Sequence, residues 1–229
     1  MPKSPPNPHK VLAMIHTVSG LIPVFEPLAK QELPDWETFN MLDESLLRAT
    51  IRDGSLSLMT IRRLTGMVWS AVDAGADAVV VTCSSLGPAV EAARALCPVP
   101  LFRIDEGMAL TAVGMGKQIG ILATLRTTLD PTSDLILRTA AQQGRDCTIT
   151  SSLSEGAFGK LSQGDTAGHD LMVAQSLRDL APKVDVIVLA QASMARASAE
   201  VKDALGSLPV LTSPELGMKH LRQALQANQ

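Results

Sequence analysis

Tyrosine is absent from this 229-residue chain, and two Trp and four Phe are its only aromatic residues. Phe25, Trp36, Phe39, Trp69, Phe102 and Phe158 leave little surface for stacking nucleobases or a flavin. The core must therefore be built from Val, Ile, Leu, Ala and Met. Cysteines number three, odd and few, which excludes a disulfide framework and makes a reducing, cytoplasmic compartment the expectation. The formal net charge of −3 provides no basic footprint for nucleic acid or an anionic membrane. No apolar run reaches the ~20 residues of a membrane helix, and no signal peptide is expected at the start. The four histidines (His9, His16, His169, His220) lack metal-ligand spacing, so no metal is expected. No Walker lysine pattern occurs. Gly114-Met115-Gly116 precedes an apolar strand instead of following one, so it is not a dinucleotide loop. A thiol phosphatase needs arginine six residues after its cysteine, and after Cys83 that place holds Ala89.

What remains is 46% hydrophobic and 19% charged, an ordinary globular composition. Residues 1–9 carry four prolines and read as a loose lead-in. Short apolar runs at Val11–Ile15, Trp36–Leu42, Ala78–Thr82 and Leu101–Ile104 predict strands. Helices are predicted at Leu21–Lys30 (with Pro23 and Pro27 confining it to about a turn), Glu44–Arg52, Ser57–Ala74, about Gly87–Leu96, and from near Glu106. In Ser57–Ala74 the apolar residues Leu58, Ile61, Leu64, Val68, Ala71 and Val72 recur at close to 3.6 spacing. The pattern then restarts. Ile119–Thr124 repeats Val11–His16, and Asp185–Leu189 repeats Asp77–Val81, at a constant offset of 108 residues. A helix opened by Asp130-Pro131 and ending at Gly144, a strand at Cys147–Thr150, a helix at Gly168–Leu180 and a strand at Leu208–Leu211 complete the second copy. Glu215-Leu216-Gly217-Met218 echoes Glu106-Gly107-Met108. Strands apolar on both faces alternating with helices predict parallel α/β sheets. The expected architecture is two pseudo-symmetric flavodoxin-like domains, each with a four-stranded parallel sheet. The first comprises residues 1–112 with a C-terminal helix at 212–229, and the second residues 113–211.

Ligands of open α/β sheets bind beyond the carboxyl ends of the strands. His16, Thr17, Cys83, Ser84, Thr124, Thr127 and Gln191 all fall there, drawn from both halves. Cys83 precedes a helix, whose unpaired N–H groups and dipole are expected to lower the thiol pKa toward neutrality and can hold a carboxylate. A cysteine at a strand end also reads as a small buried hydrophobe. Cys97 and Cys147 are expected to be structural. His16, beside the third strand, is placed to polarise the thiol or hold substrate, or merely to bond local backbone. Thr124 and Thr127 are readable as donors to a carboxylate or as turn formers. Ser85 is readable as a substrate donor or an N-cap, and Arg196 as a solvated surface residue. In the second copy Gln191 stands where the first has Cys83.

Val79-Val80-Val81-Thr82-Cys83-Ser84-Ser85 and Val186-Ile187-Val188-Leu189-Ala190-Gln191-Ala192-Ser193-Met194 resemble the two active-site segments of the aspartate/glutamate/hydantoin racemase superfamily. The resemblance extends over nearly the whole chain. It implies two flavodoxin-like domains, no cofactor, and a small carboxylate-bearing substrate. It also implies proton transfer at the carbon α to the carboxylate, between cysteines on opposite faces. Cys83 and His16 are then the expected catalytic residues. Thr17, Ser84, Ser85, Thr124, Thr127, Gln191 and Ala192 are the expected substrate-binding set, and family behaviour makes a homodimer plausible. The chain departs from the pattern at Ala190-Gln191-Ala192, where family racemases carry a second cysteine. Family decarboxylases use one cysteine, but in their second half. A racemase or isomerase-like enzyme, a one-cysteine decarboxylase of a malonate-like acid and an inactive carboxylate-binding homologue all remain open.

Overall fold

The runs of Val, Ile and Leu form two all-parallel sheets because each is covered by helices on both faces. The computed structural model describes residues 10–227, so the lead-in at residues 1–9 and the last two residues of the expected C-terminal helix lie outside it. In the first half, β1 (Lys10–His16), α1 (Ile22–Glu32), β2 (Trp36–Leu42), α2 (Glu44–Asp53), α3 (Leu58–Asp73), β3 (Ala78–Val81), α4 (Gly87–Arg94), β4 (Leu101–Arg103) and α5 (Glu106–Met115) follow one another. The second half runs β5 (Gln118–Ala123), α6 (Arg126–Gln142), β6 (Thr148–Leu153), α7 (Ala157–Ser162), α8 (Thr166–Leu180), β7 (Val186–Leu189), α9 (Ala195–Glu200), α10 (Lys202–Leu205), β8 (Val210–Thr212) and α11 (Ser213–Ala227). The sheets have the orders β2-β1-β3-β4 and β6-β5-β7-β8. β3 and β7 are buried along their whole length, each valine, leucine or isoleucine there contributing about 1.5–3 kcal/mol.

The duplication is visible in matched details. Asp77 Oδ2 accepts from the N–H of Val11 at 2.8 Å, and Asp185 Oδ2 accepts from the N–H of Gln118 at 2.8 Å. Each aspartate thus fastens the start of its third strand to the start of its first. Gly107 and Gly217 explain the second echo. A Cβ on Gly107 would lie 2.1 Å from the carbonyl oxygen of Leu216, and one on Gly217 would lie 2.0 Å from that of Ile104. Only glycines let α5 and α11 cross this closely. α11 packs Met218, Leu221 and Leu225 against Leu12 and Met14 of β1 and Phe25 of α1.

Capping follows the sequence where a polar residue precedes an apolar stripe. Asp43 Oδ1 accepts from the Ser45 N–H at 3.0 Å and Ser57 Oγ from the Thr60 N–H at 3.2 Å, opening α2 and α3. Two prolines are tolerated more deeply than expected. α1 continues past Pro27 to Glu32 because Phe25 and Ala29 bury against the first core. α6 is not opened by Asp130-Pro131: it starts four residues earlier, at Arg126, and Pro131 lies inside it. Leu129, Leu135, Ile136 and Ala140 bury there, and tertiary packing outweighs the lost backbone bond.

An ion-pair network joins the halves, buried at Arg103 and Asp105 and exposed at Arg138. Arg103, 2% exposed, donates to Asp105 through Nε at 3.0 Å and Nη2 at 2.9 Å, and also reaches Glu91. Arg138 of α6 donates to the same Glu91 from the other half, at 2.7 Å through Nη2. Burial alone pushes the Arg103 pKa down, but the Asp105 and Glu91 carboxylates outweigh it and hold the guanidinium charged. Gly87 leaves the room that the guanidinium occupies. Among the described residues no helix is long and apolar enough to cross a membrane, and no group of three His, Cys, Asp or Glu could hold a metal.

Candidate active site

A cavity of about 230 Å³ opens at the carboxyl ends of the strands, lined from both halves. This is below the roughly 300–1,000 Å³ of pockets that hold drug-sized ligands, so it suits a small molecule. Cys83 lies in its wall, where β3 gives way to the 3₁₀ turn Ser84–Leu86. The Leu86 N–H donates to the Cys83 carbonyl oxygen at 3.1 Å, and the Thr17 hydroxyl with the N–H groups of Leu86 and Ser85 lies close enough to the sulfur to favour its charged form. Burial nevertheless dominates and pushes the thiol pKa up, with the Asp105 charge adding to it, while the three donors only moderate the rise. The expected lowering toward neutrality is therefore corrected. The turn supplies its N–H groups, but removing a thiolate from water costs more than they return.

His16 is fully buried and does not line the cavity. Asn40 Nδ2 donates to Glu26 at 2.9 Å, which turns Asn40 Oδ1 toward His16 Nε2, also at 2.9 Å. His16 therefore carries its proton on Nε2, and Nδ1 accepts from the Thr82 hydroxyl at 2.9 Å. Burial holds the ring below its usual pKa against the opposing Asn40 bond and Glu26 charge. Both ring nitrogens are thus engaged, and neither bond goes to Cys83. The side chain that favours a charged sulfur is that of the next residue, Thr17.

Gln191 faces Cys83 from the second half, at the end of β7. Its amide oxygen accepts from the Thr124 N–H at 2.6 Å and from Thr124 Oγ1 at 2.9 Å. The backbone donor fixes which amide atom is oxygen. The Nε2 group therefore points elsewhere, has no partner among the described residues, and Gln191 borders the cavity. Thr124 is occupied by this contact and does not line the cavity; Thr127 is in the first turn of α6 and does not either. Ser84, Ser85 and Ala192 line it as expected. Ser85 is not an N-cap: its hydroxyl meets Thr128 Oγ1 at 2.6 Å, a bond between the halves. Arg196 is likewise not free in solvent. It donates to Asp170 through Nε at 2.6 Å and Nη2 at 3.1 Å, tying α9 to α8 and holding the Asp170 carboxyl below its usual range. Cys97 and Cys147 pack against the cores, outside the cavity.

The two faces of the cavity differ systematically. At the offset of 108, Thr17 is matched by Leu125, Thr82 by Ala190, Cys83 by Gln191 and Ser84 by Ala192. All eight of these residues line the cavity. Three hydroxyls of the first half are thus replaced by apolar side chains in the second, whereas Ser85 is matched by Ser193, and Thr128 and Ser162 also bring hydroxyls to the second half of the lining. Among the described lining residues, Cys83 is the one with an ionisable side chain.

With that geometry in hand, comparisons place the chain among known proteins. The family model for Asp/Glu/hydantoin racemase matches residues 21–221. The chain belongs to that family. Its fold is shared with glutamate racemase RacE1 from Bacillus anthracis (18% identity, 97% of this chain and 84% of that one, TM-score 0.75). Allantoin racemase from Klebsiella pneumoniae shares it too (19% identity, 96% and 88%, TM-score 0.64). So does an unliganded arylmalonate decarboxylase (18% identity, 94% and 92%, TM-score 0.55). Comparison with curated proteins gave no significant match.

Several lining residues of this racemase-family site escaped sequence reasoning. Thr128 lies one residue past the Thr127 singled out, because the helix begins earlier than Asp130-Pro131 suggested. Leu125 was findable, since it takes the place of Thr17 in the second copy. Phe158, Leu161 and Ser162 come from α7. That short helix has glycines at each end in the left-handed region, Gly156 and Gly164, both at φ 83°. Ser213, at the start of α11, closes the remaining side. No motif marks these four.

Proposed function

We propose that this chain is a cofactor-independent, isomerase-like enzyme that transfers a proton on one face of the carbon α to a carboxylate. Cys83 Sγ is the acid/base. The observation that carries this reading is the solitary ionisable group among the described lining residues: Cys83 lines the same cavity as Gln191, which cannot exchange a proton. The thiolate takes the α-proton and becomes the thiol, the substrate becomes an enediolate, and the same thiol returns a proton on the same face, to the α-carbon as exchange with retention or to a conjugated carbon as isomerisation. Gln191 Nε2 and the Ser84 hydroxyl are the donors placed to hold the carboxylate. Thr17, with the N–H groups of Ser85 and Leu86, steadies the negative sulfur. His16 acts at one remove, as a positioning residue that orients Thr82 through Nδ1.

A second reading is favoured by the raised thiol pKa, which keeps the sulfur protonated at neutral pH. A malonate-like acid loses CO₂, the bonding pair remains as an enediolate, and Cys83 donates its proton to carbon. The resulting thiolate regains a proton from water. The two readings share the enediolate and the sulfur and differ in which bond to the α-carbon breaks first.

Proton NMR in D₂O tests both, using 2-substituted carboxylic acids, hydantoins and malonates. Wash-in of deuterium without inversion is the expected result for proton transfer, and CO₂ release with one-sided labelling for decarboxylation. Cys83→Ala should reduce either activity by roughly 10²–10⁴-fold. Activity unchanged in that variant removes Cys83 from the mechanism. Ligand-dependent thermal stabilisation without exchange or CO₂ release identifies a binding protein.

A further inference from the structure

We propose that Asp105, gripped by Arg103 at the end of β4, is a positioning residue of this site: its carboxylate stands beside Cys83 and favours the proton-bearing sulfur, while Arg103 orients it and supplies its counter-charge. The proposal rests on the proposed chemistry at Cys83 and names what governs the proton on that sulfur. The placement follows from the ladder. Val81 of β3 pairs with Arg103 of β4, and the Ile104 N–H donates to the Val81 carbonyl oxygen at 3.2 Å. Carried two residues further, the same register brings Asp105 alongside Cys83. Asp105 is fully buried there. Its two oxygens accept from Arg103 Nε at 3.0 Å and Nη2 at 2.9 Å, the bidentate pairing that lets a carboxylate leave water.

The pair has no counterpart at the equivalent places of the second half. Val81 and Leu189 match at the offset of 108, and Leu189 pairs with Thr212. Thr212 therefore takes the place of Arg103, and two residues on Pro214 takes that of Asp105. The charges stand on the side of the thiol and not on the side of Gln191. A buried ion pair is costly to desolvate and adds little stability, so its restriction to the cysteine half points to the sulfur. Arg103 is also shared. Its Nη1 reaches Glu91 of α4, which Arg138 of α6 binds in turn at 2.7 Å. Its backbone N–H donates to Glu106 Oε2 at 3.3 Å, and Arg94 donates to the other Glu106 oxygen at 2.7 Å. One guanidinium thus serves two carboxylates, Asp105 and Glu91, and the register sets Asp105 beside the sulfur. A negative charge beside a thiol opposes loss of its proton. Burial is the larger cause of the raised Cys83 pKa, and the Asp105 charge adds to it.

The pH dependence of Cys83 alkylation by iodoacetamide tests the proposal, read on the full chain by mass spectrometry of the Cys83 peptide so that Cys97 and Cys147 do not enter. The thiolate is the reacting form, so the midpoint of the profile reports the sulfur. Asp105→Asn keeps the shape and removes the charge. The midpoint should then fall by at least ~1 pH unit, and the rate at a pH below both midpoints should rise at least ~tenfold. Asp105→Glu retains the charge and should leave the midpoint close to that of the wild type, although its extra methylene disturbs a buried position more. A merely structural residue gives the reverse order, because Glu is the worse fit. If Asp105→Asn fails to fold, Arg103→Met combined with Asp105→Asn removes the pair whole, a change that buried pairs often tolerate, and the same fall is expected. A midpoint unchanged or raised in the folded variants overturns the proposal, as does a fall in Asp105→Glu as large as that in Asp105→Asn. Alkylation needs no substrate, so the two proposals fail separately. A lowered midpoint with no exchange or CO₂ release in the wild type keeps the role of Asp105 and removes the proposed activity. Cys83-dependent activity with an unshifted midpoint overturns the role of Asp105 alone.

Discussion

Gln191→Met isolates what Gln191 contributes to the fold, because methionine keeps the side-chain length and removes the amide. Two donors on Thr124, its N–H at 2.6 Å and Oγ1 at 2.9 Å, now end on the glutamine oxygen. Thr124 is only 4% exposed, so water cannot replace that acceptor freely. The hydroxyl can rotate toward another partner, but the N–H is fixed by the backbone between β5 and α6. Leaving one buried donor unsatisfied costs about 1–3 kcal/mol. For a chain of this size each kcal/mol moves the melting temperature by roughly 2–4 °C, so a mid-range loss of about 2 kcal/mol gives a drop near ~6 °C. Thr124→Val keeps the N–H bond and removes the hydroxyl alone, so it should cost about 1 kcal/mol or less. In the Gln191→Met background the same threonine change should cost almost nothing, because the acceptor it used has gone. Differential scanning fluorimetry and urea titration of the four proteins measure the cycle. A melting temperature for Gln191→Met within about 1 °C of the wild type would refute the reasoning. Full additivity would refute the shared acceptor.

The raised thiol pKa gives a signed prediction for activity and another for stability. If the thiolate abstracts the proton, the rate rises with pH to an apparent pKa above the ordinary ~8.5; if the thiol only protonates an enediolate, the rate is flat and falls through that same value. A profile turning at or below the ordinary value counts against the buried thiol. For folding, the group's raised native pKa makes its contribution complete below ~8.5 and lost as pH rises through the native value. Urea titrations of wild type and Cys83→Ala at neutral and alkaline pH should show the wild type losing stability relative to the variant. Gly217→Ala should destabilise by roughly 1–3 kcal/mol, since the new Cβ would stand 2.0 Å from a backbone carbonyl oxygen that cannot yield cheaply. Gly20→Ala, with nothing within 4 Å of its Cβ, is the control and should be close to neutral in the same titration.

The sequence alone determined the architecture. Strand cores such as Val79-Val80-Val81 and Val186-Ile187-Val188 are legible because a strand buried on both faces must be continuously apolar. The constant offset pairs Cys83 with Gln191. Helix starts were legible where a side chain made the cap, at Asp43 and Ser57, and misread at Asp130-Pro131, where packing carried α6 through a proline. Tertiary structure alone decided the chemistry within that frame. It set the half-buried Cys83 sulfur in a cavity wall where desolvation outweighs the turn's N–H groups. It spent both nitrogens of His16 on Asn40 and Thr82, and left Thr17 as the side chain that favours a charged sulfur. It also brought Phe158 and Leu161, which carry no motif, into the cavity lining. Periodicity records which residues are buried, because burial along one element repeats with that element's geometry. Which buried group meets which is set by long-range packing, and that is written nowhere in the local pattern.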